Sequence, residues 1–429
     1  MPAYDLQILS GVGWANGINE SGDVVGITFN SPSNPYDIGN CATWWIPTAF
    51  GYGPGTQGWL GGQLQKVNSA GDAVPQKFDT MEIWNILSNA SVATVPKDAG
   101  QVFWDVNDHD TALGNFGLIY DWHSGGPGTQ LAPLPGQSYI LGGGINNHGD
   151  VVGKSGDHGF FYSGGKMLDV GAGELDDIND NRLGVGFSDG APVYVDLSKP
   201  SPVFQTIPAP TGTWPASALG YTYPYATAVN NAGTVVGIGS GGKAPYFNYA
   251  FVYQSGSGGA STAVDLNTLV PPGSPFLWDA FDINDVGQIV GTALIGSGLP
   301  ADDLAGCVPY VASPRGTLNP ATLAVNGLVV DILAGVIQDG GGTTTGGPVP
   351  PWGPETWIAL PLAQREALLS FAISNLADMM SDRGARLQIQ KIAAESASRA
   401  LLQRTANREF KLSPAQKEQM AKLRKRMRR

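Results

Sequence analysis

The sequence predicts an all-β repeat domain, a β-propeller of seven blades, followed by a small α-helical C-terminal module. Three observations carry this. One phrase returns seven times: an apolar residue, Asn, two or three turn-forming residues, then usually Gly and a short apolar run. Its copies start 49, 39, 39, 33, 51 and 54 residues apart, and a period of roughly 40–50 residues made of short strands is that of a propeller blade. Past residue 356 the apolar spacing turns from strand-like to helical.

The anchoring asparagines are Asn19, Asn68, Asn107, Asn146, Asn179, Asn230 and Asn284. Typical copies read G-I-N-E-S-G-D-V-V-G from residue 17 and D-I-N-D-V-G-Q-I-V-G from residue 282. Asn and Gly tolerate the positive φ that tight hairpins need. The Val-Val-Gly run suits a strand buried on both faces. The glycine that closes it (Gly26, Gly153, Gly237 or Gly291) either ends the strand or lets another backbone come close. An aromatic third strand follows, as in Ala42-Thr43-Trp44-Trp45 or His158-Gly159-Phe160-Phe161-Tyr162, then a Gly-rich turn and a fourth segment such as residues 166–170. Such a unit cannot bury both faces alone, so blades must stack and close into a ring. The copies at Asn68 and Asn107 depart from the pattern. Pro75 stands for the closing Gly and Asp110 for the turn Gly, so six or eight blades would also fit.

Over residues 158–186 and 249–291 the chain shows a His-Ala-Phe-like strand, a Gly turn, an Asp-Leu segment and Ile-Asn-x-x-Gly-x-Val-Val-Gly. This order resembles the HAF repeats of bacterial surface and secreted proteins, and the resemblance covers roughly residues 10–315. It implies a propeller-like repeat domain outside the cell and no catalytic activity.

Composition agrees with an extracellular, cell-surface or virion setting. The 429 residues include 60 Gly and 31 Pro, which fit many short strands and turns, and only 14% are charged, low for a cytosolic enzyme. No run of eighteen apolar residues exists to cross a membrane, and the first residues show no recognisable signal peptide. A trimmed chain, a non-standard export route or release by lysis would each reconcile that start with the setting. Cys41 and Cys307 hold matching aromatic-strand positions in the first and last blades. Equivalent strands of adjacent blades usually lie beyond the Cα limit of about 7 Å for a disulfide. Two buried free thiols are the expectation, a bridge the alternative.

Charge divides the chain. Residues 1–356 carry 9 Lys/Arg against 30 Asp/Glu, and residues 357–429 carry 15 against 6. The organisation expected is a propeller over residues 1–338, a Gly/Thr/Pro-rich linker over 339–356 and a basic helical segment over 357–429. Residues 317–337 read as further strand material closing the ring. In the helical segment Leu362, Leu369, Ile373, Leu376 and Met380 form one apolar stripe. About seventy residues is the edge of what folds alone, so the stripe is expected to dock onto other protein subunits, or else onto its own propeller. The basic end would meet the acidic propeller of a neighbouring copy; nucleic acid is disfavoured.

Chemistry is sparse. His109, His148 and His158 sit at repeat positions, and with His123 they make no H-x-x-x-H pair; no G-x-S-x-G elbow is present. Gly142-Gly143-Gly144 lacks the strand-to-helix context of a phosphate loop. No catalytic residue and no cofactor are therefore expected. Calcium is the best inorganic candidate, at Asp105, Asn107 and Asp110, at Asp177 and Asn179, and at Asp282 and Asn284. Against it, Asn230-Asn231-Ala232 makes the same turn with no carboxylate, so the turn needs no ion. Trp44, Trp45, Trp59, Trp122, Trp214, Tyr221, Tyr223 and Tyr225 would stack on sugars where exposed, though those at repeat positions read mostly as core. The function expected is a non-catalytic scaffold fastened into a larger assembly, such as a virion or appendage. The alternatives are a surface adhesion or carbohydrate-binding propeller, and a two-carboxylate glycosidase.

Overall fold

The computed structural model describes residues 2–315 apart from 30–40, 49–50, 53, 61, 77–79, 96–100, 125, 211–223, 241–247, 256–261 and 296–305. The linker, the helical segment with its stripe, residues 317–337, Trp214, Tyr221 and Tyr223 lie outside the described residues.

Seven antiparallel sheets follow one another, one per repeat. Blade 4 shows the plan, with strands Ile140–Ile145, Val151–Ser155, His158–Ser163 and Lys166–Ala172 running outward from the centre. The two irregular copies also build complete blades. Blade 2 is Gln63–Val67, Asp72–Gln76, Met81–Asn85 and Ala90–Val95; blade 3 is Phe103–Val106, Thr111–Gly114, Leu118–Asp121 and Thr129–Gln130. Seven blades, not six or eight, is the count.

Ring closure differs from the expectation. The outer strand of blade 7 is Tyr4–Ile8, which pairs with Cys307–Pro314 from Tyr4↔Pro314 to Ile8↔Tyr310. Both ends of the described propeller thus share one sheet, and residues 317–337 are not needed to close it. Tyr4 is buried in the blade 6–7 core, with Leu6 and Ile8 packed against that core, so apolar residues alternating along a short strand secure the closure.

Turn chemistry is uniform where the sequence is not. The third residue after each anchoring Asn has positive φ: Gly22, Gly71, Gly149, Gly233 and Gly287 at +75° to +81°, Asp110 at +62° and Arg182 at +60°. The two non-glycine residues bear strain that their side chains offset. Arg182 Nε lies 2.8 Å from Asp150 Oδ2 and its guanidinium 5.9 Å from the centre of the Phe161 ring, while Asp110 reaches His123 at 3.0 Å.

The closing glycines permit close approach and do not end strands. A Cβ on Gly26, Gly153, Gly237 or Gly291 would lie 2.0–2.4 Å from the carbonyl oxygen of Trp14, Leu141, Tyr225 or Asp279. In the first three of those blades the register slips by one residue along the inner strand opposite. That bulge pushes a carbonyl into the space a side chain would fill. Cys41 and Cys307 begin the third strands of blades 1 and 7 and are buried thiols.

Candidate functional site

The inner strands all run the same way along the central channel, so one mouth gathers the Asn turns and the other gathers the strand starts. At the first mouth the seven anchoring asparagines bond into a closed ring. Each Nδ2 donates to the backbone oxygen of the next blade's Asn: Asn19 to Asn68, Asn68 to Asn107, Asn107 to Asn146, Asn146 to Asn179, Asn179 to Asn230, Asn230 to Asn284, and Asn284 back to Asn19, at 2.8–3.2 Å. Each Oδ1 accepts the amide four residues on, as Asn146 does from Asp150 and Asn230 from Thr234. All seven are buried. Asn suits this position because its amide donates across the blade junction while accepting within its own turn.

A second set of bonds crosses the same junctions on the rim. The amides of Ser69, Asp108, Asn147, Asp180, Asn231 and Asp285 donate to the side chains of Asp108, Asn147, Asp180, Asn231, Asp285 and Glu20, at 2.7–3.0 Å. Glu20 is pushed up to about 7 by burial, with Asp285, Asp108 and Asp282 adding repulsion and the Asp285 amide opposing it.

Two residues before each Asn stand Gly17, Lys66, Asp105, Gly144, Asp177, Ala228 and Asp282. The three carboxylates reach over to the following blade, where the residue is small. Asp105 Oδ2 accepts the Ile145 amide, Asp177 Oδ2 that of Val229 and Asp282 Oδ2 that of Ile18, at 2.8–2.9 Å. Lys66 Nζ lies 2.6 Å from Asp282 Oδ1. Burial works against its charge, yet Asp282, Asp177 and Asp105 outweigh burial and hold the ammonium above its usual range. Asp105 is pushed up to about 7 by burial and by Asp177, against Lys66 and two amides. Burial likewise raises Asp177. A cavity of about 170 Å³ lies here, lined by Lys66, Asp105, Asp177 and Asp282 among others.

The residues marked for calcium therefore meet in part. Asp105, Asp177 and Asp282 converge on Lys66, Asn107, Asn179 and Asn284 belong to the asparagine ring, and Asp110 turns away to His123. Among the described residues no three His, Cys, Asp or Glu side chains gather as a metal-holding group.

The opposite mouth is irregular. Three residues before each Asn stand Asn16, Gln65, Trp104, Gly143, Asp176, Thr227 and Phe281. Asn16 Nδ2 donates to Leu64 O at 2.9 Å and Thr227 Oγ1 to Ala280 O at 2.7 Å, each across a blade junction. An ionised carboxylate has no proton to give, and Asp176 Oδ2 is shut off from solvent without a hydrogen-bond partner. Burial, Glu174 and Asp177 raise Asp176 well above the carboxylate range, against the pull of Lys154. A cavity of about 300 Å³ opens here, lined by Trp104, Leu141, Gly142, Gly143, Lys154, Glu174 and Asp176 among others. Lys154 Nζ bonds Glu174 Oε2 at 3.1 Å. At the same mouth Asp279 Oδ2 also lacks a partner, and burial pushes Asp279 up to about 7.

Of the aromatics singled out for sugar stacking, the four whose side chains are described do not line this cavity. Trp44 and Trp45 are core, Trp122 and Tyr225 are half-buried. Among the described residues the open aromatics are Trp104 (41% exposed), Phe116 (38%) and Tyr139 (43%). Trp104 stands at a repeat position where four other blades carry Asn16, Gln65, Asp176 and Thr227, and that mismatch was the available signal.

No protein-family model and no curated protein matches the chain. A similar solved structure is the β-propeller domain of Myceliophteria thermophila Cps50 (Swd1), at 8% identity and a TM-score of 0.45, covering 71% of this chain and 98% of that one. Identity that low carries nothing about function.

Proposed function

We propose that this protein is a non-catalytic interaction scaffold whose propeller is fastened into a larger extracellular, cell-surface or virion assembly by its C-terminal segment. The observation that supports it best is the ring of asparagines, in which the repeat's most regular polar residues bond one another. A hub built this way commits its seven anchoring asparagines to structure. The charge division adds a means of attachment: a segment with 15 Lys/Arg against 6 Asp/Glu follows a strongly acidic propeller. The resemblance to HAF repeats supports the extracellular setting. Light scattering tests the assembly role. Full-length protein should form a defined oligomer while a chain ending at residue 338 stays a folded monomer; monomers in both cases would remove the assembly reading.

A second reading, a surface module that binds carbohydrate, has one observation in its favour. Trp104, Glu174, Asp176 and Lys154 share a cavity at the irregular mouth. Calcium and glycosidase chemistry have no comparable support in the described residues.

A further inference from the structure

The inner strand of blade 4 runs Ile-Leu-Gly-Gly-Gly-Ile. Tight packing between blades demands those glycines. A Cβ on Gly143 would lie 2.1 Å from Leu175 O, one on Gly142 2.7 Å from Gly114 O, and one on Gly144 2.9 Å from Asp177 Cα. Blade 4 therefore places no side chain beyond Leu141 at this stretch of the channel wall, and a gap opens between Trp104 of blade 3 and Glu174 and Asp176 of blade 5.

We propose that this gap binds a neutral saccharide, one sugar ring at a chain end, stacked on Trp104 and hydrogen-bonded by Glu174, Asp176 and Lys154. The assignment rests on the second reading above and gives it a site. Four features converge on it. Trp104 is 41% exposed beside polar groups, and Phe116, Tyr139 and Leu141, each at least 38% exposed, lie at the same end of blades 3 and 4. A pyranose has an apolar C–H face for an indole and a hydroxyl edge for polar groups. Asp176 lines the cavity, and its Oδ2, turned away from solvent, has no donor; leaving such a group unsatisfied costs about 1–3 kcal/mol, which a hydroxyl relieves once the carboxyl turns toward the cavity. Lys154 uses one donor on Glu174 and has three in all. The cavity, about 300 Å³, is at the small end of ligand sites, matching one ring and not a long polymer.

The electrostatics narrow the class. Lys154 offsets Glu174 within the same walls, which leaves neither phosphates, nucleotides and acidic sugars nor an organic cation a net counter-charge. A neutral ligand carrying both donors and acceptors is the match.

The test titrates full-length protein with glucose, galactose, mannose, N-acetylglucosamine and their short oligomers, read by tryptophan fluorescence and calorimetry. At least one should bind saturably. Trp104→Ala should weaken it by about tenfold, Trp104→Phe should recover part of the loss, and Asp176→Asn should weaken it by about fivefold, with melting temperatures no lower than that of the parent. Hydrolysis of the bound sugar would support the pocket while overturning the non-catalytic reading. The proposal fails if nothing binds tighter than about 10 mM, or if tetramethylammonium binds and the sugars do not. It also fails if binding survives Trp104→Ala and Asp176→Asn unchanged; the sugar then sits elsewhere and the surface-module reading stands. None of these outcomes touches the assembly reading, which the solution mass decides.

Discussion

The two mouths of the channel are built from the same seven strands, a few residues apart, and they differ in kind. At the Asn-turn mouth every blade supplies the same residue and each asparagine is bonded on both sides. At the opposite mouth the equivalent positions hold Asn, Gln, Trp, Gly, Asp, Thr and Phe, and buried carboxyl oxygens of Asp176 and Asp279 lack partners. Where a repeat keeps its residue, structure accounts for it. Where it abandons the residue and leaves a buried acceptor unsatisfied, stability has been given up and a ligand is the natural complement.

The largest expected effect lies inside the regular end. Lys66→Met removes the cation among Asp105, Asp177 and Asp282. Breaking such a cluster should destabilise the fold by about 3 kcal/mol in denaturant melts, and a neutral result would show that the three carboxyls are held by their amides alone. Asn146→Ala should follow at about 2 kcal/mol, because it strips partners from Asn179 O and the amides of His148 and Asp150.

The pH response sharpens the comparison from both ends. Asp105, Glu20 and Asp279 are pushed up to about 7, and Asp176 and Asp177 are raised as well. Between about pH 4 and 7 the unfolded chain releases protons these groups retain when folded, so stability falls as pH rises. Asp150 and Asp196, held below their usual value, cost stability only in stronger acid. Melting temperature should therefore be higher at pH 5 than at pH 8. A rise across that interval would mean the carboxyls are ionised and well paired.

Much of the regular end was legible in the sequence, and for a physical reason. A tight turn with positive φ favours Asn and, in five of the seven copies, Gly at fixed offsets, and that signature survives every change in loop length. What the phrase could not show is that the asparagines bond one another, since the junction partner is 33 to 54 residues away along the chain, and 265 where the ring closes. The meeting of Lys66 with Asp105, Asp177 and Asp282 was readable in principle, all four being two residues before an anchor. Ring closure escaped because Tyr4–Ile8 is a lone strand with no repeat around it. The irregular mouth escaped for the opposite reason: no residue recurs there to mark it, and the 41% exposure that sets Trp104 apart is a property of the fold.

The most direct test of the difference between the mouths is the thermal stability of Asp176→Asn. Asn16 shows what an amide does at this position, donating to a carbonyl of the next blade at 2.9 Å. If Asp176 is kept for a ligand at the expense of the fold, Asp176→Asn raises stability by about 1–2 kcal/mol at pH 7. A loss of stability would mean that the carboxyl is part of the scaffold, and the two mouths would then be alike.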